Sequence, residues 1–177
     1  MILTVCTGNI CRSPAAALVL QAHLRELARV ESAGVAAMVG HGIPAEMLMP
    51  LDADGLDGRA HEARQANAEM TAQFDLIVAM AAEHRRALVQ DSPANLRRTF
   101  LLDELTKAAR ADAPLEGDSP QERLANVPAA IQGFRPELAG MDIADVPDPY
   151  RRSQARYDEA YAMITDGVRD IAAWVRG

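Results

Sequence analysis

Residues 1–20 read MILTVCTGNICRSPAAALVL, and this stretch largely decides the fold. The β-rich run Ile2–Cys6 is typical of a short buried strand. The turn-forming residues Thr7-Gly8-Asn9 follow it, and Ser13-Pro14 then opens a stretch rich in alanine and leucine. Serine at the N-cap with proline at the first helical position is typical of a helix start. We therefore expect a strand, a short loop and a helix from about residue 14 to residue 29.

The rest of the chain continues this alternation of strands and helices. Further strands are predicted at 30–34, 74–80 and 99–102, and helices near 44–50, 60–73, 83–90 and 151–176. Parallel neighbouring strands need a crossover helix between them, so the alternation indicates a parallel sheet. We expect residues 1–177 to form a single α/β domain, with a four-stranded parallel sheet and helices on both of its faces.

Residues 103–145 differ in character from the rest of the chain. They carry nine acidic and four basic residues, and so account for −5 of the net charge of −7. Their four prolines are expected to break any long helix. The segment is predicted to be an acidic insertion, built either from short helices or as a partly mobile flap.

Composition argues against several classes of function. A net charge of −7 argues against nucleic-acid binding, which needs a basic face. No apolar run approaches the roughly 20 residues of a membrane helix, so we expect no membrane insertion. Residues 1–5 lack the basic start of a signal peptide. We therefore expect a cytoplasmic protein.

The loop that follows the first strand carries the chemistry. Cys6 ends a strand at the sheet edge where open α/β folds bind ligands, and the backbone N–H groups after it can form an anion cradle. The helix dipole adds positive potential there, and the Arg12 guanidinium can hold two phosphate oxygens at once. These surroundings favour a thiolate at Cys6, to which the Ser13 hydroxyl can donate. The predicted phosphate-binding residues of the loop are Thr7, Gly8, Asn9, Ile10, Cys11 and Ser13.

The two cysteines do not predict a structural disulfide or a metal site. A disulfide between Cys6 and Cys11 would close a very small loop and would constrain the unfolded chain little. The four histidines stand at no zinc-ligand spacing with these cysteines, and we expect neither a metal nor another cofactor. For Cys11 two interpretations stay open, a packing residue and a redox partner of Cys6.

The nine residues CTGNICRSP, at positions 6–14, resemble the phosphate-binding loop of the low-molecular-weight protein-tyrosine phosphatases. The segment VPDPY at 146–150 is similar to the Asp-Pro segment that this family carries ahead of its last helix. Shorter similarities lie in SAG at 32–34, HEARQ at 61–65 and FDLI at 74–77. The resemblance covers residues 1–102 and about 146–175.

The resemblance implies a metal-independent phosphatase that hydrolyses protein phosphotyrosine and aryl phosphates through a phosphocysteine. Cys6 would be the nucleophile, Arg12 the phosphate clamp and Asp148 the general acid. The implied substrate is a phosphotyrosine protein, such as a bacterial tyrosine kinase. The resemblance further implies that four residues brace the loop and two line the cleft: Asn9, Ser13, Ser32 and His61 in the first group, Met38 and Tyr150 in the second.

The chain departs from the family pattern at four places. Residues 103–145 exceed the usual connection before the Asp-Pro segment. Ala60 stands where the family often has glycine, and Met38 where several eukaryotic members have an aromatic residue. Arg151 stands where some members carry a second tyrosine. These departures affect access and substrate preference and leave the chemistry intact.

Three other functions are compatible with parts of the pattern. A protein-arginine phosphatase typically has threonine at the position of Ile10, where an apolar side chain favours phosphotyrosine. An arsenate reductase needs cysteines beyond Cys11 to relay a disulfide, and the chain has none. A phosphate-binding module without catalysis would be expected to lack Cys6 or Asp148, and both are present.

Overall fold

A four-stranded parallel sheet forms the centre of the molecule, in the order β2-β1-β3-β4. The structure is a computed structural model that describes residues 1–177. The strands are β1 (Ile2–Cys6), β2 (Val30–Gly34), β3 (Leu76–Ala79) and β4 (Thr99–Leu101). The register pairs Cys6 with Gly34, so β1 and β2 end side by side at the carboxyl edge. The predicted fold class is confirmed.

The α-helices lie between and after these strands. Their bounds are α1 (Arg12–Leu24), α2 (Ala45–Ala53), α3 (Ala68–Thr71), α4 (Ala82–Asp91), α5 (Leu102–Arg110), α6 (Pro120–Gly133), α7 (Arg135–Leu138) and α8 (Gln154–Arg176), with a 3₁₀ turn at Pro93–Arg97. No helix is both long and apolar enough to cross a membrane.

Two apolar clusters cover the two faces of the sheet, because successive side chains of a strand point to opposite sides. The larger cluster joins Ile2 and Val78 to α1, α5 and α8. The smaller one joins Leu3 and Ile77 to Leu88 of α4. Gly167 of α8 lets α5 approach closely, since a Cβ there would lie 2.6 Å from the Thr106 hydroxyl oxygen.

Several element boundaries differ from the prediction. The helix expected over 60–73 is wrong except for the single turn of α3. Residues before it run beside the loop instead, where Gln65 bridges to Gly34 and the Arg64 amide donates to the Asn9 side chain. Helix α1 also begins earlier and ends earlier than expected. These differences arise from contacts between distant segments, which local sequence patterns do not report.

Residues 103–145 form helices that pack into the main core. Ala108, Val127, Ile131 and Leu138 from this segment belong to the same cluster as the sheet residues. The flap interpretation is therefore wrong, and short helices describe the segment. The prolines mostly do not break these helices: two lie in the first turns of α6 and α7, and Pro128 lies inside the 14-residue α6.

Candidate active site

The loop between β1 and α1 presents a row of free backbone amides. The carbonyl oxygens of Cys6, Thr7 and Gly8 accept hydrogen bonds from the amides of residues 35, 36 and 38, at 2.9–3.0 Å. None of the N–H groups of residues 7–11 donates to another protein group. Unpaired backbone donors inside a structure are rare. These amides are therefore available to donate to an anion.

The close packing of β2 against this loop explains why residue 34 is glycine. A Cβ at Gly34 would lie 2.4 Å from the Thr7 carbonyl oxygen, a distance that no side chain can occupy. Within the loop, Asn9 has a φ of 54°, in the left-handed region that asparagine tolerates better than most residues. Both residues allow the chain to turn tightly after β1.

Asn9 is the centre of the hydrogen bonds that hold the loop. Its side-chain amide donates to the hydroxyls of Ser13 at 3.0 Å and Ser32 at 2.9 Å. Its backbone carbonyl accepts a 2.6 Å hydrogen bond from Nε2 of His61. Burial lowers the pKa of His61, so the ring is neutral at pH 7 and Nε2 carries its hydrogen. The structure thus brings together all four residues expected to brace the loop.

Ser13 faces Cys6 instead of capping the helix. Its hydroxyl oxygen lies 3.0 Å from Cys6 Sγ. Helix α1 has Cys11 at its N-cap position and begins at Arg12, so the expected N-cap role of Ser13 is wrong. Because Asn9 already donates to this oxygen, the Ser13 hydrogen is free to point to Sγ or, at 3.3 Å, to the Ala33 carbonyl. Cys6 itself is only 3% exposed.

Arg12 connects the loop to the segment ahead of α8. Its Nη1 donates to the Val146 carbonyl at 3.2 Å, and its Nη2 lies 3.1 Å from Asp148 Oδ1. The Arg12 side chain is 5% exposed, whereas that of Asp148 is 58% exposed. A buried cation at the loop and a solvent-accessible carboxyl at its mouth are thus brought side by side.

His84 of α4 contacts the loop, a role that no motif in the sequence indicates. The ring is fully buried, with Nε2 2.9 Å from the Thr7 hydroxyl and no partner at Nδ1. An unpaired buried N–H is costlier than an unpaired lone pair, so the hydrogen belongs on Nε2, which donates to Thr7. Burial and, next, the charge of Arg12 lower the pKa of His84 to about 4. His84 therefore supports the loop as a neutral ring.

Cys11 packs into the core beside Tyr157. Burial and, next, the charge of Cys6 raise the pKa of Cys11 to about 12. Burial and the neighbouring Cys11 raise the pKa of Tyr157 to about 12 as well. Both groups therefore stay protonated at neutral pH. The packing interpretation of Cys11 agrees with this burial, and a redox role stays a prediction.

Apolar side chains flank the loop at Gly8. A Cβ at Gly8 would lie 3.5 Å from Ile10 Cγ1 and 3.7 Å from Met38 Cγ. Ile10 is only 7% exposed, so it forms part of the loop wall more than its rim. Tyr150 is half-buried, and the Arg151 guanidinium lies 5.1 Å from its ring centre. Met38 and Tyr150, the two side chains expected to line the cleft, are thus both partly buried.

Comparison with known proteins gives a consistent result. The family model for low molecular weight phosphotyrosine protein phosphatase matches residues 1–139, a range that ends before Asp148. A low molecular weight protein-tyrosine-phosphatase of Streptomyces coelicolor is 32% identical over 180 residues, covering 97% of this chain and 91% of the relative. The protein-tyrosine-phosphatase Wzb of Escherichia coli is 29% identical and covers 97% of this chain and 92% of the relative.

Solved structures show the same fold. Vibrio vulnificus Wzb in complex with benzylphosphonate superposes with a TM-score of 0.72 at 28% identity, covering 97% of this chain and 96% of that one. The YwlE arginine phosphatase of Geobacillus stearothermophilus superposes with a TM-score of 0.72 at 26% identity, covering 97% and 90%. The same backbone therefore serves phosphatases named for two different substrates.

Proposed function

Because this chain belongs to the low molecular weight phosphotyrosine protein phosphatase family, we propose that Cys6, Arg12 and Asp148 hydrolyse phosphotyrosine in proteins through a phosphocysteine. The observation that carries the proposal is the row of unpaired N–H groups at residues 7–11, between a cysteine and a buried arginine. The buried Arg12 guanidinium and the exposed Asp148 carboxylate at the mouth of the loop lie 3.1 Å apart.

Substrate binding uses groups that are already in place. The loop N–H groups and the Arg12 guanidinium hold the equatorial phosphoryl oxygens, on which negative charge accumulates during transfer. Asn9, Ser32 and His61 fix the loop through the hydrogen bonds described above. The donors thus need little reorganisation when the phosphate arrives, and this preorganisation stabilises the transition state.

In the first step the Cys6 thiolate attacks phosphorus in line with the tyrosyl oxygen. The sulfur–phosphorus bond forms as the phosphorus–oxygen bond breaks, and Asp148, in its protonated form, gives its proton to the leaving oxygen. The Ser13 hydroxyl, 3.0 Å from Sγ, stabilises the thiolate before attack and again as it leaves. The products of this step are tyrosine and a phosphocysteine.

In the second step water releases the phosphate. The Asp148 carboxylate takes a proton from the water molecule, whose oxygen attacks phosphorus while the bond to sulfur breaks. Inorganic phosphate leaves, and Cys6 returns to the thiolate with Asp148 protonated again. No metal enters either step, because Arg12 and the amides supply the positive charge.

The protein substrate is proposed to be a cytoplasmic phosphotyrosine protein, such as a bacterial tyrosine kinase. Ile10 and Met38 give the loop an apolar wall, which suits a phenyl ring better than a guanidinium. Protein-arginine phosphatase activity is the second candidate, since the fold is shared with the YwlE arginine phosphatase.

Initial rates on phosphotyrosine, phosphoserine and phosphoarginine peptides of one sequence, measured side by side, test this function. We expect phosphotyrosine to be hydrolysed fastest by the wild type, and Cys6→Ser to hydrolyse none of the three. A faster rate on phosphoarginine would establish the second candidate. No hydrolysis by the wild type would refute both.

A further inference from the structure

The segment that leads to Asp148 is held by α5 and α4 at several consecutive points. Lys107 Nζ of α5 donates to the Asp142 carbonyl. Asp103 Oδ2, also on α5, accepts a 2.7 Å hydrogen bond from the Ala144 amide. The Asp145 carboxylate in turn accepts from the Ala82 amide, at 2.8 Å, where α4 begins.

Asp103 and Lys107 form a pair on one face of α5. They are one helical turn apart, with Lys107 Nζ 2.9 Å from Asp103 Oδ2, and the Asp103 side chain is 10% exposed whereas that of Lys107 is 26% exposed. A carboxylate that accepts from both a cation and a backbone amide is a strong acceptor, and this one is largely shielded from water. We call this pair the α5 clasp.

Helix α5 is a rigid base for the clasp. Leu102, Leu105 and Ala108 are fully buried in the main core, and α5 packs along α8. An independent ion pair joins the far end of α5 to α8, with Arg110 Nε 2.6 Å from Asp170 Oδ2. The position of the clasp is thus set by the core and does not depend on the segment that it holds.

The clasped segment ends directly at the active site. The Val146 amide donates to the Met80 carbonyl at 2.8 Å, and the Val146 carbonyl accepts from Arg12. Asp148 follows two residues later. A general acid must lie within hydrogen-bond reach of the leaving oxygen, and a displacement of about 1 Å can cost on the order of 10²-fold in rate.

We infer that Asp103 and Lys107 are positioning residues for Asp148: the α5 clasp holds residues 142–144 so that the carboxyl of Asp148 reaches the leaving group. The inference rests on the proposed role of Asp148 as general acid. The inference gives Asp103 and Lys107, at the start of the acidic segment 103–145, a task in the reaction. Neither residue contacts the phosphate loop or supplies a reacting group.

The inference predicts a specific kinetic signature. Loss of the clasp should slow the steps that need proton donation and should spare phosphate binding, since the loop is held by other residues. Phenyl phosphate has a poor leaving group that needs the proton, whereas 4-nitrophenyl phosphate has a good one that barely needs it. Because the second step is the same for both substrates, the ratio of the two kcat/KM values, which covers only the first step, reports the position of Asp148, and a general loss of structure would lower both values.

The test compares kcat and KM on the two aryl phosphates for the wild type, Asp103→Ala, Asp103→Asn and Lys107→Met. We expect Asp103→Ala to lower kcat/KM on phenyl phosphate by about tenfold or more and on 4-nitrophenyl phosphate by less than about threefold, with the inhibition constant for inorganic phosphate unchanged. Asp103→Asn keeps an acceptor for the Ala144 amide and should restore part of the rate. Lys107→Met, at a more exposed position, should change the ratio in the same direction. It serves as the test variant if Asp103→Ala folds poorly.

Two controls complete the experiment. Arg110→Gln removes an ion pair of the same helix that does not touch residues 142–144, and it should leave the ratio unchanged. Adding Asp103→Ala to Asp148→Ala should change the ratio no further, because the acid to be positioned is then absent.

The outcomes separate this inference from the proposed function. Equal losses on both substrates, an unchanged ratio in both Asp103→Ala and Lys107→Met, or a persisting effect of Asp103→Ala without Asp148 would each overturn the positioning role alone. If Asp148→Ala itself had no leaving-group dependence, the general-acid assignment would fall and the positioning role with it. An inactive wild type would overturn the proposed function.

Discussion

Arg12 Nη2 lies 3.1 Å from Asp148 Oδ1, so the first residue of α1 meets the segment that precedes the last helix. The two residues are 136 positions apart in the chain. The contact joins the proposed phosphate clamp to the proposed general acid. The family model matches residues 1–139 and so does not reach Asp148. The contact with Arg12 is therefore the structural evidence that places Asp148 in the site.

Replacing Asp148 with asparagine should slow the hydrolysis of phenyl phosphate by about 10²–10⁴-fold, because the amide cannot donate a proton to the leaving oxygen. The loss on 4-nitrophenyl phosphate should be much smaller. The kcat/KM values on both substrates measure the effect, because they exclude the second step, which the two substrates share. Asp166→Asn, which alters an exposed carboxylate of α8 that pairs with Arg169, is the matched control. Equal losses on both substrates would remove Asp148 from the role of acid.

Ile10→Thr should raise the ratio of phosphoarginine to phosphotyrosine hydrolysis. The threonine keeps the branched shape but replaces a methyl-bearing arm with a hydroxyl, so the loop wall beside Gly8 becomes less favourable to a phenyl ring. Ile10→Val, which shortens the side chain without adding a polar group, controls for packing. Rates on the two peptides measure the ratio, and an unchanged ratio would show that Ile10 does not discriminate between them.

His84→Gln should make stability less sensitive to acid. The unfolded histidine takes up a proton near pH 6.5, whereas the folded one, with its pKa lowered to about 4, does not. As pH falls from 7 to 5, the unfolded state therefore gains protons and the wild type loses about 2 kcal/mol through this group. Glutamine can still donate to Thr7 but does not titrate.

Urea unfolding of both proteins at pH 7 and pH 5 measures this difference. The wild type should lose more free energy of unfolding than His84→Gln over that interval, by about 2 kcal/mol. The groups that act on the His84 ring are Arg12, Asp145 and Asp148, with Glu83 3.5 Å away, and all are present in both proteins. Equal losses would mean that the folded ring takes up its proton as readily as the unfolded one.

Ile131→Ala in α6 should destabilise the protein by about 2–5 kcal/mol, because it removes a side chain that is 1% exposed in the main core. Leu96→Ala, at a side chain that is 52% exposed, should cost far less and serves as the control. Urea midpoints measure both changes. A loss for Ile131→Ala as small as that for Leu96→Ala would contradict the packing of residues 103–145 into the main core.

The sequence predicted those features that local patterns encode. The strand Ile2–Cys6, the loop after it and the parallel sheet follow from an apolar run, turn residues and the alternation of elements. The N-cap at Ser13 was wrong because Asn9 and Cys6 engage that hydroxyl across the loop. The role of His84 could not be predicted, since nothing near it in the chain indicates that its ring is buried against Thr7.

Residues 103–145 show a second reason for such differences. Their charge and prolines predicted an acidic insertion, but the apolar residues of α6 recur at helical spacing and pack against α5 and α8. Pro128, inside α6, shows that a helix tolerates an internal proline where the free energy gained by burying its apolar face exceeds the loss of one backbone hydrogen bond. Local propensity is a weak guide when tertiary packing opposes it.

The central claim is that Cys6 carries the phosphoryl group during turnover. Rapid acid quenching of the wild type during hydrolysis of an aryl phosphate, followed by mass spectrometry of the peptide that contains Cys6, tests it directly. We predict a phosphate on Cys6 at the earliest times, and none in Cys6→Ser treated in the same way. Turnover with no phosphate on Cys6, together with undiminished activity of Cys6→Ser, would contradict the account.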